Sequence, residues 1–235
     1  MAGKYGQLKL VKVEPIGDFV YKVSLNRPSK YNALDMEIWK EIGDCFQLID
    51  EDPDCRVVVL QGEGKHFCTG LDLNGVGLLT GGEHGAEEDQ ARKSRIFLRK
   101  IKFMQKQFTY IDECSKPVLL AIHGYCLGAA IDIATACDVR FATKDAEISL
   151  SARHFSAAEA LQFGLLSRVF ETREEMLTEV QKGTKHILNY ARDHPVENSL
   201  NYVAAWNMSQ LFTEDLMKAG LATFAKEPQP PFAKL

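Results

Sequence analysis

Val118-Leu-Leu-Ala-Ile122 runs straight into His123-Gly-Tyr-Cys-Leu-Gly-Ala-Ala-Ile-Asp132. Five consecutive apolar residues read as a strand buried on both faces. The two glycines that follow read as a turn, and Ala129–Ala136 as the next helix. Such a junction leaves unpaired backbone N–H groups at the helix start and sets a carboxylate, Asp132, in the first helical turn. That combination suits an oxyanion and a proton-transfer group.

Elements of the same kind flank this junction. Arg56-Val-Val-Val-Leu60 is short, apolar and β-branched, the signature of a central parallel strand, and its exit Gly62–Leu73 is a glycine-rich loop. Leu8–Val13 and Val20–Leu25 read as an antiparallel hairpin turning at Pro15-Ile-Gly-Asp18. Trp39, Ile42, Phe46 and Ile49 recur at helical spacing within Asp35–Asp50, and Ile96, Phe97, Ile101, Met104 and Phe108 do so within Gln90–Asp112. Val139–Ala142 is a further strand. Ser156-Ala-Ala-Glu159 is a capping box whose helix should stop at Gly164, and Leu165–Phe170 is extended. Glu174–Ala191 and Ser199–Phe224 read as helices. The glycine-rich stretch 74–89 has no periodic pattern. Strands alternating with helices imply right-handed crossovers and a mostly parallel sheet, an α/β fold.

With 235 residues, 46% hydrophobic and 26% charged, the chain can bury a sizeable core. A formal net charge of −4 with scattered bases gives nucleic acid no electrostatic footing. The basic face of Arg92–Lys106 reads as a solvated helix surface. The uncharged, apolar stretch Val118–Ile131 is too short to span a bilayer, so no membrane partner is expected. Six cysteines without a C-x-x-C pair indicate neither a disulfide framework nor a metal site. Asn207-Met-Ser209 has the form of a glycosylation acceptor, but the N-terminus carries no secretory pattern. His123 reads as a histidine hydrogen-bonded at the turn, since no nucleophile is placed with it.

The loop His66-Phe-Cys-Thr-Gly-Leu-Asp-Leu73 and the turn 123–132 each leave a buried strand, so together they can aim two N–H groups at one carbonyl oxygen. Either glycine turn alone is ordinarily a backbone requirement. Three further stretches make the pattern specific: Asn26-Arg-Pro-Ser-Lys-Tyr-Asn-Ala-Leu34, Cys137-Asp-Val-Arg140, and Phe155–Leu165. Across nearly its whole length the chain resembles the enoyl-CoA hydratase/isomerase (crotonase) family, with five motifs in family order. Tyr190–Ser209, Leu211 and Asp215-Leu216 resemble the C-terminal region of its Δ3,5-Δ2,4-dienoyl-CoA isomerases. Asp132 fits that subgroup too, since typical hydratases carry Glu there.

The resemblance implies a crotonase-like spiral of ββα units, with residues 1–150 as core and 151–235 as the rest of the core and a helical region that joins subunits. It implies homotrimers or hexamers, no cofactor beyond the acyl-CoA substrate, and no metal. Leu71 and Ala129 would supply the two oxyanion N–H groups. Thr69, Gly70, Leu71, Asp72, Leu73 and Ala129 would line the acyl-CoA, and Arg27–Ala33 would border its nucleotide end. Most relatives have Gly where this chain has Ala129. The implied reaction converts 3,5-dienoyl-CoA to 2,4-dienoyl-CoA in fatty-acid β-oxidation. A proton leaves C2 and another returns at C6, carbons about 5 Å apart in an extended chain, so two carboxyl groups are needed besides a supporting Asp132. Alternatives are an enoyl-CoA hydratase, or a non-catalytic acyl-CoA- or RNA-binding relative.

One departure matters. Family members run from the strand matching Ala146–Leu150 into a Gly-rich segment of a few dozen residues carrying both acid–base carboxylates. Here Leu150 is followed directly by Ser151. A shorter deficit falls between Glu179 and Thr184. Either the chain is a true deletion variant, or it represents a longer polypeptide lacking internal segments. The second is favoured, because excision beside the central sheet would expose apolar core. The terminal Ala233-Lys-Leu235 resembles the S-K-L address and suggests a peroxisomal location, with mitochondrial or cytoplasmic as alternatives.

Overall fold

A computed structural model describes residues 3–72, 90–150 and 153–193. Its main sheet has six strands in the order β1 (Val11–Gly17), β2 (Val20–Leu25), β3 (Val57–Gly62), β4 (Val118–Ile122), β6 (Val139–Thr143) and β9 (Arg168–Phe170). Only β1 and β2 pair antiparallel; the other neighbours are parallel. Every residue of β3 and β4 is buried, as their unbroken apolar runs require. The hairpin differs from expectation. β1 continues through Pro15 to Gly17 with an irregular register, and the turn falls at Asp18-Phe19. Proline is tolerated there because β1 is an edge strand.

Helices cover both faces. α1 (Met36–Asp50) buries Ile38, Trp39, Ile42, Cys45, Phe46 and Ile49 against one face, and Asp35 caps it by accepting from the Glu37 and Ile38 N–H groups. α2 (Gln90–Asp112) packs on α1, where the Trp39 indole donates to the Met104 carbonyl at 2.8 Å and stacks on Phe108. The other face, with Val57, Val59, Leu119, Ala121 and Val139, is closed by Met176 and Val180 of α5 (Arg173–Asp193). α5 is continuous across Glu179–Thr184, where the sequence suggested a curtailed helix. All six cysteines are free and buried, as small hydrophobes should be.

A second layer went unseen in the sequence. β5 (Tyr125–Leu127), β7 (Glu147–Ser149) and the two-residue β8 (Phe155–Ser156) form a three-stranded sheet. α3 (Ala129–Thr135) starts at its edge. The Ser156 capping box opens α4 (Ala157–Gln162) as expected, and Gly164 follows in the left-handed region. Residues 74–89, the helix expected at 199–224 and the terminal tripeptide lie outside the described residues. No helix among the described residues is long and apolar enough to cross a membrane.

Candidate active site

β5 is the platform on which two turns meet. Beyond β3 the chain bends and runs parallel to it: Phe67 N–H donates to the His123 carbonyl at 2.8 Å, Cys68 N–H to that of Tyr125 at 3.0 Å, and Leu127 N–H to that of Cys68 at 3.1 Å. Gly70 follows with φ +80°; a Cβ there would lie 2.5 Å from the Leu127 carbonyl oxygen and 3.6 Å from the Ala129 nitrogen. Only glycine permits that approach, and it brings the 66–72 loop against the start of α3. Gly128, at φ 55° and ψ −123°, makes the sharp entry into the helix.

Two donors are left over. The Leu34 N–H takes the Gly70 carbonyl at 2.7 Å and the Asp72 N–H takes the Leu34 carbonyl at 2.9 Å, so the intervening Leu71 N–H faces away from Leu34. Ala129 is the first residue of α3, where an amide has no intrahelical acceptor. Among the described residues no backbone carbonyl takes either N–H. The two residues singled out from the sequence thus sit on adjoining turns with free donors. Ala129 adopts the helical backbone that its methyl group allows.

The remaining expected residues divide. Thr69 is tied to the Tyr31 carbonyl through its N–H (3.2 Å) and hydroxyl (3.3 Å). The Asp72 carboxylate is held by Arg27 at 3.1 Å, and the same guanidinium reaches Asp35 at 3.0 Å and the Ala33 carbonyl at 2.6 Å. Arg27 therefore locks the 26–35 loop to the 70–72 turn. Leu73 lies outside the described residues. Asp132 occupies the first turn of α3 and is exposed; partial desolvation raises its carboxyl above the usual range.

Asn32, which the sequence placed only in the stretch bordering the nucleotide end, organises the turn, a role that one buried amide does not announce by any periodic signal. It sits in the left-handed region at φ 55°, where Asn is tolerated, and its amide donates to the carbonyls of Glu63 (2.8 Å), His66 (2.9 Å) and Phe67 (3.1 Å). Its oxygen accepts from the Arg27 N–H at 2.9 Å. We predict that Asn32→Ala, which strands these partners in the interior, costs about 3 kcal/mol or more in urea unfolding. A loss below about 1 kcal/mol would contradict this account of the turn.

His123 is 5% exposed, and its Nε2 meets the Gly64 carbonyl at 3.1 Å. A carbonyl can only accept, so Nε2 carries a proton, and the buried Nδ1 has no acceptor among the described residues for a second one. Burial, then the Arg173 cation, lowers its pKa to about 4. With the folded value below the unfolded 6.5, the unfolded chain binds the extra proton between these limits, and stability falls as pH drops from about 6.5 to 4. The expected loss is about 3 kcal/mol. Denaturation of wild type and His123→Gln at pH 7 and pH 4 checks this: the wild-type advantage should shrink by roughly that amount. A constant difference would be inconsistent with a neutral His123.

Some large apolar side chains lie open: Leu150 is 62% exposed, Leu161 41% and Phe163 56%.

The strand–turn–helix spiral and paired donors define an acyl-CoA fold of known type. The family model described as enoyl-CoA hydratase/isomerase matches residues 16–152, and the chain belongs to that family. It is 35% identical to the peroxisomal Delta(3,5)-Delta(2,4)-dienoyl-CoA isomerase of Arabidopsis thaliana, over 92% of this chain and 93% of that protein. It is 38% identical to the mitochondrial Delta(3,5)-Delta(2,4)-dienoyl-CoA isomerase of Homo sapiens, over 87% of this chain and 76% of that protein. An enoyl-CoA hydratase/carnithine racemase from Magnetospirillum magneticum shares the fold, with a TM-score of 0.69 at 23% identity, covering 97% of this chain and 96% of the other. The match to the Arabidopsis protein extends over 261 residues although 92% of this chain is only about 216, so about 45 aligned positions face no residue here. The same subtraction for the human protein, 250 less about 204, gives about 46.

Proposed function

We propose that this protein isomerises 3,5-dienoyl-CoA to 2,4-dienoyl-CoA in fatty-acid oxidation. The juxtaposition of the Leu71 and Ala129 N–H groups carries the reading on the structural side, and the named isomerases aligned over most of the chain carry it on the comparative side.

Removing a C2 proton moves charge onto the thioester oxygen, where two fixed donors, once bound substrate excludes water, stabilise it by about 3–4 kcal/mol each. Asp132, at the start of the helix that supplies one donor, polarises the site as a supporting carboxylate. The principal base at C2 and acid at C6 belong to the segment that relatives carry between the positions of Leu150 and Ser151. The protein works as a homo-oligomer, and the Ala233-Lys-Leu235 tail directs it to peroxisomes.

Ultraviolet spectroscopy tests the activity. Bringing a 3,5-diene into conjugation with the thioester carbonyl must move its absorbance, and a full-length polypeptide that leaves the spectrum of 3,5-dienoyl-CoA unchanged sinks the isomerase reading.

A further inference from the structure

We infer that His123 and Arg173 are positioning residues for the oxyanion donors, a clamp that acts beside the Asn32 contacts. Arg173, at the start of α5, donates through Nη1 to the Gly64 carbonyl at 3.1 Å and through Nη2 to the Gly62 carbonyl at 3.0 Å. His123 Nε2 meets the same Gly64 oxygen at 3.1 Å. Asn32 holds the carbonyls of Glu63, His66 and Phe67. Five carbonyls of the segment leading to Leu71, those of Gly62, Glu63, Gly64, His66 and Phe67, are thus held by three side chains.

His123 joins both halves of the site. Its side chain holds Gly64, its backbone carbonyl accepts from Phe67, and its own chain reaches Ala129 six residues later. A shift of this one residue alters the separation of the Leu71 and Ala129 N–H groups. Tightness around it is visible next door, where a Cβ on Gly124 would lie 2.5 Å from His66 Nδ1 and 2.7 Å from the Lys65 carbonyl oxygen. His66 accepts from Tyr125 N–H through that nitrogen and stacks on the Tyr125 ring.

The histidine is costly to keep. Its Nδ1 is buried with no hydrogen-bond partner among the described residues, a penalty that an apolar side chain would avoid. Such a cost is understandable if the Nε2 contact serves the site rather than stability. The ionisable groups acting on His123 are Arg173 and His66, which disfavour a second proton, and Asp145, which favours it. The neutral ring is the one that can donate to Gly64 without repelling Arg173.

The inference rests on acyl-CoA binding at these donors, and its test does not need turnover. Octanoyl-CoA, which has no double bond to move, is bound to the full-length protein, and the thioester carbonyl stretch is read by isotope-edited infrared difference spectroscopy. Wild type should shift the band to lower frequency. Arg173→Lys, which keeps the charge but loses the fork, and His123→Gln, which keeps one donor, should each return part of that shift. Arg173→Met and His123→Phe should return most of it. On 3,5-dienoyl-CoA the conservative variants should lose about tenfold in kcat with KM within about threefold. Lys144→Ala, which removes an exposed ion pair to Glu171, is the control. Full wild-type band shifts in the conservative variants would overturn the clamp, and so would a wild-type protein that leaves the band unmoved. A shifted band without isomerisation would instead overturn only the proposed reaction.

Discussion

Ala129→Pro should lower kcat for dienoyl-CoA isomerisation by about 10²–10³-fold while leaving the fold intact. Residue 129 opens α3, where proline is favoured because its fixed φ suits the first helical position and its missing N–H has no intrahelical role. Gly128 precedes it at ψ −123°, outside the α region that a following proline disfavours. The substitution therefore removes one donor and little else from the helix. Its ring carbon occupies the position of the lost hydrogen, so the thioester oxygen is also pushed away. Far-ultraviolet circular dichroism and thermal unfolding should match wild type within a few degrees, which separates this loss from unfolding. Ala129→Gly, by contrast, keeps the N–H and should stay within about fivefold of wild type. Equal activity of Ala129→Pro and wild type would remove Ala129 from the chemistry.

The sequence disclosed the sheet because its central strands are buried on both faces, and Val57–Leu60 and Val118–Ile122 cannot be anything amphipathic. Helix limits followed where caps exist: Asp35 opens α1 and Ser156 opens α4. β5 was missed because Tyr125–Leu127 is three residues long and lies between two glycines, a stretch that reads as turn. The site followed a similar division. The two glycine turns after buried strands are local features and could be read, and the family resemblance they carry named Leu71 and Ala129 as the donors. The locking contacts of Arg27, Asn32 and Arg173 could not be read, since their partners lie far along the chain: Arg173 reaches back 109 and 111 residues to Gly64 and Gly62. Long-range polar contacts of this kind leave no period in the sequence.

The largest effect should come from the junction of Leu150 and Ser151. A polypeptide of these 235 residues alone is expected to bind acyl-CoA yet isomerise it about 10³-fold or more slowly than one carrying the relatives' intervening segment, because general acid and base groups contribute about 10²–10⁴-fold. Binding survives because the Leu71 and Ala129 donors and the Arg27 lock lie before the junction. Catalysis fails because the one carboxylate at the start of α3, Asp132, cannot serve carbons about 5 Å apart. Exposed apolar side chains supply an independent readout. Leu150, Leu161 and Phe163 are 62%, 41% and 56% exposed, apolar surface available to a covering segment. Restoring the relatives' segment there should lower binding of a hydrophobic dye such as ANS as it raises turnover. The mass of the natural protein decides which form exists: a value several kDa above 26.3 kDa means that the segment is present. Rapid isomerisation by the 235-residue form would place the acid and base within the present chain and refute their assignment to the missing segment.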